Sequence, residues 1–309
     1  MTLLIVGSVA YDTVETKFGS SKNSLGGSAT YCSLAARFFT NVSMVGVVGN
    51  DFLESDRMLL QNNAVDITDL EILSGETFKW HGKYDPDDFN KRDTIDTQLN
   101  VFANFTPKIS SQNASCEFLF LGNIDPKLQL NVLEQMKETP TLVGLDTMNY
   151  WIDSEKTTLE KAIQQIDVLF MDETEIKGFT KKNTIYSAAN QIHEMGPEIV
   201  LVKKGEHGAI LSYHGELFAL PSFPTQDVRD PTGAGDSFAG GFMGYLSSVE
   251  ELTSTSLRQA MAFATIMGSL TVESFSVNKL VQVEYQEISS RFEKLFKMTD
   301  FNPNISVRK

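Results

Sequence analysis

Cysteine is scarce. The 309 residues contain two, Cys32 and Cys116, far apart and without metal-ligand spacing. That count excludes a disulfide scaffold and a zinc cluster, so both read as buried thiols. Positive charge is short as well: 26 Lys and Arg face 40 Asp and Glu, a net charge of −14. A chain that grips a phosphodiester backbone needs the opposite balance, so nucleic acid is excluded as a partner. No run reaches the roughly 18 apolar residues of a membrane span. The N-terminus carries no basic region before its short apolar stretch, Leu3 to Val6, and reads as a first strand rather than a leader. No membrane contact and a cytoplasmic location are expected. Three signatures of chemistry are missing too. There is no Gly-x-x-x-x-Gly-Lys-Ser/Thr loop, no Gly-x-Gly-x-x-Gly after the first strand and no Gly-x-Ser-x-Gly elbow. Their absence argues against P-loop enzymes, dinucleotide dehydrogenases and the commonest hydrolases.

What the chain does have is concentrated at residues 229–241. Asp230, Pro231 and Thr232 lead into Gly233, Ala234, Gly235 and Asp236, and an apolar run to Leu246 follows. A turn without bulky side chains lets backbone approach a ligand closely. The helix opening there aims unpaired N–H groups and its positive dipole end at the turn, which makes an anion site suited to phosphate. Asp236 stands at its rim, where a carboxylate can take a proton from a hydroxyl. A phosphate cradle beside a base points to phosphoryl transfer from a nucleotide to an alcohol.

The rest of the chain alternates short apolar runs with amphipathic segments. Strands are expected at 3–9, 42–48, 117–121, 141–145, 168–171 and 198–203. Helices are expected at 28–39, 52–62, 126–137, 154–165, 257–273 and 285–296, with Ser154 as an N-cap; residues 300–309 read as a polar tail. This is the pattern of a parallel α/β sheet, one domain over residues 1–309. Ligands in such sheets gather at the carboxyl ends of strands, and Asp12, Asn123, Asp146 and Asp172 all follow strands. Residues 20–24 read as a polar turn. Residues 70–107 are polar and rich in aromatics, unlike their surroundings, and read with 11–18 as a small β-rich lid. Trp80, Tyr84 and Phe89 there could stack on a ligand; Lys79, Lys83, Lys91 and Arg92 could approach its charge. Asp172 and Glu175 lie at i and i+3 on a first helical turn and share a face. They suit Mg²⁺, directly or through its waters, and equally suit a helix dipole. Lys204 to Gly208 reads as a hairpin turn, with His207 exposed on it.

The run from Asp230 to Asp236 resembles the C-terminal signature of the ribokinase-like (PfkB) carbohydrate kinases, and the likeness extends over residues 3 to about 280. It implies a ribokinase-like α/β fold: a central, mostly parallel sheet with helices on both faces and a β-rich lid. It implies ATP as co-substrate, Mg²⁺, and transfer to a primary hydroxyl of a small sugar, with a nucleoside as the alternative acceptor and a non-catalytic sensor as the less favoured one. Asp236 becomes the catalytic base, and Gly233, Ala234 and Gly235 the anion hole. Asp12 with Gly26 and Gly27 holds substrate hydroxyls; Tyr31 stands where many relatives carry Asn. Asp172, Lys203, Gly205, Gly208 and Asn278 fall at nucleotide positions, Glu175 at the Mg²⁺ position, and Asp230 and Thr232 where some members bind a monovalent cation such as K⁺. A homodimer through the lid is the protein partner this reading admits.

Overall fold

The computed structural model describes residues 2–300; the tail expected at 300–309 lies, past Asp300, outside them. The strands are β1 (Thr2–Val6), β2 (Ala10–Thr16), β3 (Gly19–Gly26), β4 (Asn41–Gly49), β5 (Val65–Leu73), β6 (Phe78–Tyr84), β7 (Arg92–Gln98), β8 (Phe118–Leu121), β9 (Leu142–Asp146), β10 (Val168–Asp172), β11 (Ile199–Lys203), β12 (Ala209–Tyr213) and β13 (Glu216–Leu220). The helices are α1 (Ser28–Ala36), α2 (Glu54–Asn62), α3 (Pro126–Gln135), α4 (Asn149–Ser154), α5 (Lys156–Ile163), α6 (Glu173–Thr180), α7 (Ile185–Met195), α8 (Ala234–Leu246), α9 (Ser254–Thr271), α10 (Asn278–Gln282) and α11 (Tyr285–Thr299). None among the described residues is long and apolar enough to cross a membrane.

Nine strands form one sheet in the order β13-β12-β11-β10-β9-β8-β1-β4-β5. It is parallel from β5 to β11, and β12 and β13 add antiparallel at one edge. Its inner strands, β1, β8, β9, β10 and β11, are apolar on both faces, as buried parallel strands must be. In β1, Leu3 and Ile5 join a core with α1, α8, α9 and α11, while Leu4 and Val6 join a second core with α5, α6 and α7. The sheet is therefore covered on both sides.

From β1 the chain proceeds outward to β4 and β5, then returns to β8 and proceeds the other way. That reversal opens a crevice at the carboxyl ends of β1 and β8. Gly7 and Gly122 follow these two strands, and a side chain on either would press on Ser28 at the start of α1 (2.6 and 3.0 Å from its Oγ). The Ser28 hydroxyl instead accepts the Ser8 N–H at 3.0 Å. So α1 begins directly over the switch point. Helix α8 lies against α1 and α9 through glycines: Gly240 faces the Cys32 carbonyl, Gly244 faces Ala36, and Gly241 faces Ala264 and Met267. With no side chains between them, the helices approach closely.

The remaining four strands make a small sheet, β3-β2-β6-β7. Its membership differs from the sequence expectation at two places. Gly19–Gly26, whose middle reads as a polar turn, is a strand paired antiparallel with β2, and residues 70–73 end β5 in the large sheet. A third difference is Ser154, which does not cap a helix. Its hydroxyl bonds back to the Tyr150 carbonyl at 2.6 Å, closing the short α4, and α5 begins after Glu155.

Candidate active site

Two helix starts meet at the carboxyl edge of the large sheet. Gly27, at φ 94°, precedes α1, and Gly233, at φ 76°, precedes α8. A side chain on Gly233 would run into the ring of Tyr31, in the first turn of α1. The left-handed backbone and this contact both call for glycine. At the start of α8, Ala234 N–H is taken by the Pro231 carbonyl at 3.2 Å and Ser237 N–H by Gly233 at 2.8 Å. Among the described residues no carbonyl accepts the N–H of Gly233, Gly235 or Asp236. The Asp236 N–H turns to its own carboxylate, which leaves Gly233 and Gly235 with the free donors of the turn. Ala234, expected as a donor, is the one already engaged.

Lys203, at the end of β11, brings its ammonium to the same place, 3.3 Å from where a Gly235 side chain would begin. It is held there by Asp146, the last residue of β9, at 2.9 and 2.8 Å to the two carboxylate oxygens. Burial opposes the charge on Lys203, but Asp146 and Glu175 outweigh it and raise its pKa. Asp236 lies within the same field. Burial first, then Asp146, push its carboxyl up to about 6, against the pull of Lys203 and Arg92. It is mostly ionised at neutral pH yet close to its titration point, as a general base should be.

Asp172 and Glu175 form a reciprocal cap on α6. Glu175 N–H donates to Asp172 Oδ1 at 2.7 Å, and Asp172 N–H donates to Glu175 Oε2 at 2.6 Å. The helix-capping reading of the pair is what the geometry shows, and Glu175 also faces Lys203 and Asp146. Burial pushes its carboxyl up to about 7. Among the described residues its Oε1 has no hydrogen-bond partner, which leaves it able to accept a metal-bound water. No cluster of three or more His, Cys, Asp or Glu able to hold a metal occurs among the described residues. A Mg²⁺ held by one carboxylate, phosphates and water fits that donor set.

On the other side of the crevice, Asp12 of β2 receives the Gly27 N–H, and burial, then Asp230 and Asp236, push its carboxyl up to about 8. A side chain on Gly26 would occupy the place of the Asp12 carboxylate. Tyr31 is buried beneath Gly233, and burial, Asp230, Asp12, Tyr84 and Asp236 raise its pKa well above the usual value. Asp230 accepts N–H bonds from Thr232 (2.9 Å) and Ser276 (3.3 Å). It is a buried carboxylate met only by neutral donors, and its pKa is raised, chiefly by burial.

The small sheet covers this ground. Asp12 is in register with Trp80 on β6, so the two share a face, and Gly82 and Tyr84 follow on it by the two-residue period. The Trp80 ring lies over Gly82, where any side chain would displace it. The Tyr84 hydroxyl bonds Thr232 Oγ1 at 3.2 Å, and Thr16 of β2 donates to the Arg229 carbonyl at 2.8 Å. At the far tip, Asn90 packs on Gly205 (φ 56°), leaving no room for a side chain there. Gly208 (φ 85°) is pinned against the Leu220 carbonyl. Asn278 is exposed and donates to the Phe275 carbonyl at 2.8 Å. His207 is exposed on its turn.

The structure thus brings together Asp236, the 233–235 turn, Asp12, Gly26, Gly27, Tyr31, Lys203, Glu175, Asp230 and Thr232. Asn278 makes no contact with any of them. Asn123 accepts the Trp151 indole N–H at 3.1 Å. Sequence reasoning assigned Asp146 no role beyond its place after a strand, and it did not single out Asn90. A separate hollow of about 230 Å³ lies along the β4–β5 edge between Gly46, Asp69, Phe105 and Lys108. It has none of these converging groups.

Residues 3–282 match the pfkB family carbohydrate kinase profile. The chain is 26% identical to the cytidine kinase of Thermococcus kodakarensis over 79% of its own length and 87% of that protein. It is 27% identical to the nucleoside kinase of Methanothermobacter thermautotrophicus over 88% and 89% of the two chains. Among solved structures, the nucleoside kinase of Methanocaldococcus jannaschii, an archaeal member of the ribokinase family, superposes with a TM-score of 0.77 over 95% of this chain and 98% of that one, at 21% identity. This last likeness is one of fold.

Proposed function

We propose a reaction and an acceptor from one premise: this chain belongs to the pfkB family of carbohydrate kinases. The γ-phosphoryl group of ATP passes to a primary hydroxyl of a sugar, and the acceptor we favour is the sugar of a nucleoside. One observation carries that choice. Trp80 stands in register with Asp12 on the same face of the small sheet, so a carboxylate that holds sugar hydroxyls has an aromatic ring beside it for a base. Base–aromatic stacking contributes about 1–3 kcal/mol. The names of the cytidine and nucleoside kinases similar to this chain agree with it. A free sugar is the second reading, because Asp12, Gly26 and Gly27 would serve its hydroxyls equally.

In this mechanism Asp12 and the Gly27 backbone orient the acceptor across the crevice from α8. Asp236 takes the hydroxyl proton as the acceptor oxygen bonds to phosphorus and the bond to the ADP oxygen breaks, its electron pair leaving with ADP. The N–H groups of Gly233 and Gly235 stabilise the charge on the moving group, and Lys203 adds a full positive charge at the same edge. Positioning and fixed dipoles do most of the work in such transfers. Mg²⁺, when bound, neutralises phosphate charge; Glu175 would hold it through water. Asp230 suits a monovalent cation such as K⁺, since no Lys or Arg among the described residues pairs with its buried carboxyl. Gly205 and Gly208 shape the turn against which the nucleotide would lie. A homodimer through the lid has an edge available in β7, which pairs on one side only and is exposed along its length. A cytoplasmic location belongs to the same reading.

A coupled ADP-release assay over cytidine, inosine, adenosine, ribose and fructose tests both parts. Nucleosides should turn over faster than free sugars, and Asp236→Asn should lower kcat by about 10²–10⁴-fold. A variant within a few-fold of wild type would remove Asp236 as the base. Free sugars outrunning every nucleoside would remove the favoured acceptor.

A further inference from the structure

The hairpin β6–β7 spans the crevice. At its base Tyr84 bonds Thr232 beside the cradle, and at its tip Asn90 packs on Gly205 beyond the end of β11. Four cations lie along it. Lys79 is paired with Glu76 and Asp51, and Lys91 with Asp88. Lys83 is in register with Glu15 and falls on the face opposite Asp12. Arg92 is different. It is in register with Tyr84, so it shares the face that carries Asp12, Trp80 and Tyr84 and meets Thr232. Its guanidinium lies 5.8 Å from the Trp80 ring centroid. Among the described residues it makes no ion pair and no hydrogen bond, although the chain carries an excess of 14 negative charges. Its field reaches Asp236 and Tyr84, lowering the pKa of each.

A guanidinium without an ion pair on the inner face of the small sheet, near a base and the free backbone donors of Gly233 and Gly235, has one evident use. The donors of α8 and Lys203 approach the transferring group from the large sheet, and nothing there reaches its opposite side. We propose that Arg92 is a catalytic residue supplied by the small sheet, which contacts the transferring phosphoryl group from the side away from the cradle. It forms no covalent bond and moves no proton. Its planar fork matches two phosphoryl oxygens, and it stabilises the charge that spreads over them as the bond to ADP lengthens. The hydrogen bond of Tyr84 to Thr232 and the seat of Asn90 on Gly205 hold the hairpin at the distance this needs. The small sheet would then both shut out water and complete the charge of the site.

This rests on the phosphoryl-transfer reading, and the test separates the two. MgATP turnover is measured with the best acceptor of the panel above and with water alone, for wild type, Arg92→Ala, Arg92→Lys and Asp236→Asn. Arg92 is exposed at a sheet edge, so the variants should melt with the wild type. Arg92→Ala should lower kcat by about 10²–10³-fold, the usual cost of one such donor, with KM for ATP within about threefold. Arg92→Lys should recover part of the loss, and added guanidinium should rescue Arg92→Ala but not wild type. The acid limb of kcat/KM should move to higher pH in Arg92→Ala. Burial and Asp146 would still raise the Asp236 pKa, with Lys203 and the Asp236 backbone N–H left to lower it. A kcat within threefold of wild type would overturn the proposal, as would a loss with neither guanidinium rescue nor a pH shift. If Asp236→Asn is inactive while Arg92→Ala is not, only the role of Arg92 fails; if Asp236→Asn is active, the reading of the reaction fails.

Discussion

Asp12→Asn should make the free protein more stable and a poorer enzyme. The carboxylate of Asp12 is buried, faces Asp230 and Asp236, and receives one backbone N–H, from Gly27; its pKa rises from 3.8 to about 8. A carboxyl that binds its proton more tightly when folded destabilises the fold as it ionises. The penalty is absent below the unfolded pKa, grows from about pH 4 to 8, and is complete above the folded value. A rise of roughly four pKa units corresponds to an upper bound on the order of 5 kcal/mol, and relaxation should leave a few. Asparagine keeps the shape and can still accept the Gly27 N–H, but carries no charge. For a chain of this size about 1 kcal/mol moves the midpoint by roughly 2 °C, so Asp12→Asn should melt about 5 °C above wild type at pH 8 and with it near pH 4. Above about pH 8, where Asp12 is ionised, kcat/KM for the acceptor should fall by about 10- to 150-fold, the equivalent of one hydrogen bond to a charged group at roughly 1.5–3 kcal/mol. Melting curves from pH 4 to 8 and steady-state kinetics supply both numbers. Parallel pH profiles of melting for the two proteins would refute the claim that Asp12 carries this strain. An unchanged kcat/KM would refute its contact with substrate.

Gly233→Ala should lose kcat by at least 10-fold and melt lower, because the new carbon meets φ 76° and the buried Tyr31 ring together; wild-type kinetics would mean the turn is only a connection. Trp80→Ala should raise KM for a nucleoside by about 5- to 150-fold, from the roughly 1–3 kcal/mol of a stacked base, and leave KM for ribose near wild type; equal effects on both would remove the stacking role. Replacing K⁺ by tetramethylammonium should lower turnover, and Asp230→Asn should make turnover indifferent to the exchange. A wild-type rate independent of K⁺ would leave Asp230 as a loop clamp alone.

The parallel sheet was legible because its strands are short apolar runs, and the turn that opens α8 because small residues precede an acid and an apolar helical run. What escaped depends on pairing across long separations. Gly19–Gly26 is polar and contains Asn23 at φ 47°. Local propensity makes it a turn, and only its ladder with β2 makes it a strand. Asp146 and Lys203 are 57 residues apart, and neither announces the other until β9, β10 and β11 lie side by side. Arg92 stood among four lid cations with nothing to distinguish it; the register of β7 with β6, shifted between His81 and Gly82, selects it. Ser154 shows the reverse error. A good capping residue at a plausible place was overridden by α4, anchored by the bond of Trp151 to Asn123.

The glycine seams between α1, α8 and α9 work like the fixed jaw of a caliper. One jaw face carries Gly27, the other Gly233, and with glycine set against the Cys32 carbonyl, Ala36 and the Ala264 backbone, few rotamers are left that could change the spacing of the two helix starts. Tolerance for a new acceptor must then be found elsewhere, in the exchangeable side chains of β2, β6 and β7. A methyl group added at Gly240 or Gly244 would act on no substrate directly, yet it would mis-set the gauge for every acceptor alike.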